Sequence, residues 1–168
     1  MGMFLSTFVN RIDSKGRISV PPSFRTNLQV QDGSRMIVFP SLQNTALDAC
    51  SLEHMEQLSE SLESPELPPE QRELIETVIF GASVELTLDS EGRIILPQSL
   101  LAFAGITREA AFVGRRRTFQ IWDPAALTAH ESALRERAKD SNISLSTIIA
   151  RGPVTRASSS KTPSTGGA

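Results

Sequence analysis

Asp13-Ser14-Lys15-Gly16-Arg17-Ile18-Ser19-Val20-Pro21 is written a second time, 76 residues further on, as Asp89-Ser90-Glu91-Gly92-Arg93-Ile94-Ile95-Leu96-Pro97, with six of the nine positions identical. A period that long exceeds a solenoid unit and indicates a duplicated small domain, so that what the phrase does is done twice per chain. The phrase also decides the local structure. Asp13 suits the first position of a type I turn, where its carboxylate can accept local backbone N–H groups, and Gly16 suits a positive φ. Before the turn, Phe8-Val9-Asn10-Arg11-Ile12 mixes apolar and polar residues and is expected as a half-buried strand. Arg17-Ile18-Ser19-Val20 alternates after it, and the two strands are expected to pair as a hairpin. Pro21 ends the second strand, and Pro22 opens a short helix through Ser23-Phe24-Arg25.

The second copy repeats this grammar with Val84–Leu88, the turn Asp89 to Gly92, Arg93–Leu96 and Pro97, and its helix Gln98 to Ala104 stops at Gly105, a natural left-handed cap. Further strands are expected at Met36–Phe39 in the first copy and at Ala111–Val113 and Phe119–Trp122 in the second. Each copy is too small to bury a core alone, so the two are expected to intertwine. Between them, residues 51–62 and 69–80 have helical spacing, the latter starting at Pro68-Pro69 and ending at Gly81. Asp123 and Pro124 open a last helix running to about Lys139, and the Ser-, Thr-, Pro- and Gly-rich residues beyond Gly152 are too polar to offset their ordering entropy. The fold class is therefore α+β, mainly β. Its expected units are repeat 1 at 6–53, an acidic helical spacer at 54–81, repeat 2 at 82–125, a helical region at 126–150 and a disordered tail at 151–168.

The 168 residues, 39% apolar and 21% charged, describe an ordinary globular chain. No run approaches the length of a bilayer span and the N-terminus lacks the pattern of a signal peptide, so a cytoplasmic protein without a membrane partner is expected. Cys50 is alone, and with only His54 and His130 it makes no usual zinc spacing; no metal and no cofactor are expected. The net charge of −2 hides a segregation. Residues 11–35 hold five basic residues against Asp13 and Asp32, residues 53–91 hold eleven acidic residues against Arg72, and residues 93–117 hold five basic residues against Glu109. Each basic segment carries one copy of the phrase.

Within the phrase, Asp13, Gly16, Asp89 and Gly92 form the turns, while Ile18 and Val20, or Ile94 and Leu96, face the core. Arg17 and Arg93 are left on the opposite face, beside a rigid turn. Two readings stand for them. A two-stranded ribbon fits the DNA major groove, where an arginine can bond guanine O6 and N7 together; alternatively each arginine pairs with its own turn aspartate. Lys15 at the turn tip suits a phosphate as a point charge. No catalytic residues are expected and no small-molecule substrate, since the sequence pattern offers no evident activating residue for Cys50, His54 and His130 are expected on helix surfaces, and no phosphate loop of the Gly-Lys-Ser kind occurs. Arg115-Arg116-Arg117 falls in a hairpin turn and reads either as added phosphate contacts or as a solvated turn.

The two phrases, together with Ala104-Gly105-Ile106 and Phe119-Gln120-Ile121-Trp122-Asp123, resemble the MraZ family of bacterial transcriptional regulators over about residues 4 to 140. The resemblance implies two tandem SpoVT-AbrB-type domains, swapped-hairpin repeats forming a pseudo-symmetric small β-barrel. It implies a nucleoid-associated homo-oligomer, a closed ring, that binds direct repeats in double-stranded DNA upstream of its own gene, at the head of the division and cell-wall cluster. It maps the DNA-binding positions to Lys15, Arg17 and Arg93. One position departs from symmetry: Glu91 stands where the first copy has Lys15, which puts an acid where a phosphate would sit. The competing function class is a protein-binding or scaffolding ring without specific DNA recognition.

Overall fold

The computed structural model describes residues 2–32 and 34–153. Among the described residues, eight strands form two sheets. In chain order the elements are β1 (Thr7–Arg11), β2 (Arg17–Ser19), α1 (Pro22–Asp32), β3 (Arg35–Pro40), β4 (Leu47–Cys50), α2 (Leu52–Ser61), α3 (Pro69–Ile75), β5 (Val84–Thr87), β6 (Arg93–Ile95), α4 (Gln98–Ala104), β7 (Glu109–Arg115), β8 (Thr118–Trp122), α5 (Pro124–Ser141) and α6 (Leu145–Arg151). The larger sheet is antiparallel with order β1-β7-β8-β4-β3-β5, and β2 pairs with β6 alone. This order reads the same backwards when β1 exchanges with β5, β3 with β7 and β4 with β8, so the strands around the two phrases occupy equivalent places.

Two expectations are corrected here. The strands flanking each turn do not pair with each other as a hairpin: β1 pairs with β7, β5 with β3, and β2 crosses to β6. The physical reason is burial. Ile18 and Ile94 lie opposite each other in the β2–β6 ribbon at 1% exposure, and both join a core shared by the two halves. Nor does hydrogen bonding close the larger sheet into a small barrel. Its edges are β1 and β5, because the chain leaves each edge strand to build the separate ribbon.

The principal core combines both copies. Phe24 of α1 meets Phe4 edge-on at 5.3 Å between ring centroids and Phe119 of β8 at 5.0 Å, alongside Leu28, Met36, Val38, Leu100 and Phe112. Truncating a ring such as Phe24 should cost about 3–5 kcal/mol. A second cluster joins Ile37, Phe39 and Cys50 of the sheet to Met55 of α2 and to Ile79, and a third joins Ala46, Ala111 and Trp122 to Leu127 of α5.

Local signals account for several helix ends. Ser51 caps α2 by accepting the His54 N–H, the Asp123 carboxylate accepts the Ala126 N–H at the start of α5, and Gly105 ends α4 at φ 64°. The helix expected over 69–80 is α3 followed by a π-helical turn, Glu76–Phe80, closed by the Gly81 N–H on the Glu76 carbonyl. The described chain divides into one compact unit ending at Glu131 and a second beginning at Ser132. The second unit contains α6, which sequence spacing did not separate from α5; the break falls at Asn142, whose φ is 48°. The tail expected to be disordered lies, from residue 154 on, outside the described residues.

Candidate nucleic-acid interface

The two turns are built alike, bond for bond. In the first, the Asp13 N–H donates to the Arg17 carbonyl (2.9 Å), the Gly16 N–H donates to the Asp13 carbonyl (3.0 Å), and Asp13 Oδ1 accepts the backbone N–H groups of Lys15 and Arg17, both at 2.9 Å. Asp89 repeats all four with Gly92, Glu91 and Arg93. Gly16 and Gly92 sit at φ 79° and 76°, in the left-handed region that penalises a side chain. Both carboxyls are held below the ordinary carboxylate range. The largest cause is the arginine backbone N–H; desolvation opposes it, and the arginine side-chain bond adds to it.

Each arginine then returns to its aspartate through Nε, Arg17 to Asp13 Oδ2 at 2.7 Å and Arg93 to Asp89 Oδ2 at 2.9 Å. The pairing that sequence reading set against DNA contact is therefore formed, but it does not consume the guanidinium. A half-exposed ion pair of this kind contributes little to stability; its effect is orientation. With Nε fixed on the carboxylate, both Nη atoms of Arg17 have no protein partner among the described residues, and that edge is one of the two able to make a bidentate bond to guanine.

The β2–β6 register brings the two arginines onto one surface. Arg17 lies opposite Ile95, Ser19 opposite Arg93, and the buried Ile18–Ile94 pair lies between on the other face. Arg17 and Arg93 are thus diagonal neighbours on the outward face, with Cβ atoms about 7–8 Å apart by the ordinary spacing of such pairs. The ribbon extends by the Val20 N–H donating to the Gly92 carbonyl at 3.0 Å. The sequence places each arginine in a hairpin of its own copy; the structure instead assembles a single ribbon from both, which local patterning does not reveal. Nor does it reveal the exposed Ile95 between them, at 59% exposure, where the first copy has Ser19.

Around this common frame the turns differ. Lys15 is exposed with no ion-pair partner among the described residues, whereas Glu91 forms an ion pair with Arg93 Nη2 at 3.1 Å. Arg25 of α1 donates through Nη1 to the Glu91 carbonyl at 2.9 Å and lies so close to Gly92 that a Cβ there would collide with it; a Cβ on Gly16 would meet nothing. Arg93 is raised above the usual arginine value by the Asp89 bond first and then, against desolvation, by the charges of Asp89, Glu91 and Asp13. Arg115, Arg116 and Arg117 stand elsewhere. Residues Thr7 to Arg11 pair with Val113 to Glu109, so the Asp13 turn follows one end of this strand pair and the three arginines extend from the other.

Beyond the site, the Phe119–Asp123 stretch is a buried polar relay: Trp122 Nε1 donates to Gln120 Oε1 at 3.0 Å, and Gln120 Nε2 donates to Asp48 at 2.7 Å, tying β8 to β4. His54 is half-buried, its imidazole held below the ordinary histidine value by burial and then by Arg117. No helix among the described residues is long and apolar enough to cross a membrane.

A family model described as "MraZ protein, putative antitoxin-like" matches residues 79–146. Proteins named transcriptional regulator MraZ from Rickettsia akari (strain Hartford) and Rickettsia rickettsii (strain Sheila Smith) are 39% identical over 145 residues, covering 86% of this chain and 97% of theirs. The protein of that name from Rickettsia bellii (strain OSU 85-389) is 39% identical over 146 residues with the same coverage. At that identity over nearly the full length of these relatives, the chain belongs to the MraZ family of transcriptional regulators.

Proposed function

We propose that the protein is a sequence-specific DNA-binding regulator of transcription that lays the outward face of the β2–β6 ribbon in the major groove. Arg17 reads a base edge, Lys15 contacts a phosphate and Arg93 adds a second contact. The observation that carries this reading is the shared face. Two arginines from motifs 76 residues apart stand as diagonal neighbours, each held through Nε by an aspartate whose other oxygen is fixed by backbone N–H groups. Preorganised guanidiniums lose less entropy on binding than free ones. Buried apolar residues behind them make the ribbon a rigid platform.

One copy offers few cations on a chain of net charge −2, which is too few for tight binding at physiological salt. Several copies presenting the same ribbon along direct repeats gain through effective concentration without any new contact. The reading therefore includes a homo-oligomer, a closed ring, acting in the cytoplasm on the nucleoid at direct repeats upstream of its own gene and of the division and cell-wall genes, as the family resemblance implies.

The test is a salt titration of binding to the DNA upstream of the gene against a scrambled fragment, for wild type and Arg17→Ala. Selective binding that weakens with salt and that the substitution removes supports the reading. Equal binding to both fragments, or none, replaces it with a scaffolding ring.

A further inference from the structure

Two surface patches of the unit ending at Glu131 are opposite in charge, both partly apolar, and neither has a partner within the described residues. The first is a corner. Arg115, Arg116 and Arg117 are exposed and make no ion pair among the described residues, and Phe4 and Arg116 exchange both backbone hydrogen bonds (2.7 and 3.1 Å), which fixes residues 3–5 beside the turn. Phe4 is buried at 1% exposure, so the alternating Met3 and Leu5, each at 57%, stand on the outer side. The second patch is on α3 and its π-helical continuation. Ile75 and Ile79 pack inward with Met55, while Leu74 and Val78, four residues apart, are exposed at 49% and 43% beside exposed Glu70 and Glu73, which form no ion pair among the described residues.

Neither patch can face its own copy across a two-fold axis without juxtaposing like charges. Facing each other they match, arginines to glutamates and Met3 and Leu5 to Leu74 and Val78. We infer that the α3 face of one copy docks on the Met3–Leu5 and Arg115–Arg117 corner of a second copy. The contact is head-to-tail, and contacts of that kind propagate into a ring when the rotation closes. The corner leaves the DNA face clear, because it lies at the far end of the β1–β7 pair from the Asp13 turn. The inference rests on the multi-copy part of the proposed function and gives it a surface.

Charge exchange tests it. Arg115→Glu with Arg117→Glu makes a corner that repels the native helix face, and Glu70→Lys with Glu73→Lys makes a face that repels the native corner. By analytical ultracentrifugation, wild type should sediment as an assembly that weakens with salt. Each double variant alone should sediment as a single chain, and a one-to-one mixture of the two should regain the assembly, since each mixed contact then joins opposite charges. Variants that keep the wild-type mass overturn the contact, as does a mixture that stays dissociated. Should an exchanged variant fail to fold by circular dichroism, Arg115→Gln/Arg117→Gln and Glu70→Gln/Glu73→Gln read the same contact as a several-fold rise in the concentration of half-assembly; no rise overturns it. A wild type that is a single chain at every concentration removes the contact and the multi-copy reading together. A wild type that assembles through the contact but ignores operator DNA removes only the DNA reading.

Discussion

The Asp13 and Asp89 turns share a backbone and a hydrogen-bond list, yet they present different chemistry. In the first, the turn tip is a cation with no ion-pair partner among the described residues, the glycine faces open space and the arginine side chain is held through Nε. In the second, the tip is a carboxylate that takes a second guanidinium nitrogen, and Arg25 covers the glycine and binds the Glu91 carbonyl. Duplication preserved the device that aims an arginine and changed what surrounds it. The first turn is equipped to meet a polyanion; the second is partly neutralised and packed against α1, which is the condition of a supporting element.

The largest effect should come from removing the aimed arginine in each turn. Arg17→Ala should abolish selective DNA binding, since one bidentate base contact is worth about 1–3 kcal/mol per copy and the loss recurs in every bound copy. Arg93→Ala should weaken binding by a smaller factor, because Glu91 already occupies one of its Nη atoms. Fluorescence anisotropy on the operator fragment measures both. Equal losses would mean that the Glu91 pairing yields on binding and that the turns act as equals.

Next in size is the stability cost of a side chain at each glycine. Gly16→Ala should cost about 1–2 kcal/mol through its positive φ alone. Gly92→Ala should lose more, because Arg25 must also leave its bond to the Glu91 carbonyl, a further loss of about 1 kcal/mol. In the Gly92→Ala/Arg25→Ala double variant the clash is absent, so the two losses should sum to less than additivity predicts. Thermal unfolding of the set decides it, and additive losses would show that Arg25 swings away freely.

A still smaller change would sharpen the contrast from the other side. Glu91→Lys gives the second turn the chemistry of the first and releases Arg93 Nη2. Affinity for DNA should rise several-fold, and the slope of log affinity against log salt should steepen by about 0.9 for each added phosphate contact. An unchanged slope would place the second turn away from the phosphates.

The turns were legible in the sequence because their chemistry is local. Asp13 and Gly16 need only each other and the intervening amides, and the same holds for the Gly105 cap and the Asp123 start of α5. What was not legible is partnership. Nothing within Arg17–Val20 says that its partner is Arg93–Leu96 rather than Phe8–Ile12, because the alternation fixes which face is buried but not which strand lies alongside. β4 escaped notice for a related reason: three of its four residues are buried, so no alternation marks it. Arg25 over Gly92 joins residues far apart in sequence, and only the folded core brings α1 to the second turn.

The smallest expected effect asks whether the shared frame is equal in the two copies. Both aspartates titrate below the ordinary carboxylate value, with the arginine backbone N–H as first cause in each. A carboxylate with a depressed folded pKa contributes stability that is fully present above its unfolded value, near about 4, and that is lost as pH falls through the folded one. Thermal stability should therefore decline as the solution is acidified below about pH 4. Asp13→Asn retains an oxygen for the two backbone N–H groups and does not titrate, so it should flatten that decline, and Asp89→Asn should flatten it equally. An unequal pair of slopes would mean that Arg25 and Glu91 reach past the turn tip into the frame itself. The two motifs would then differ in construction as well as in what they display.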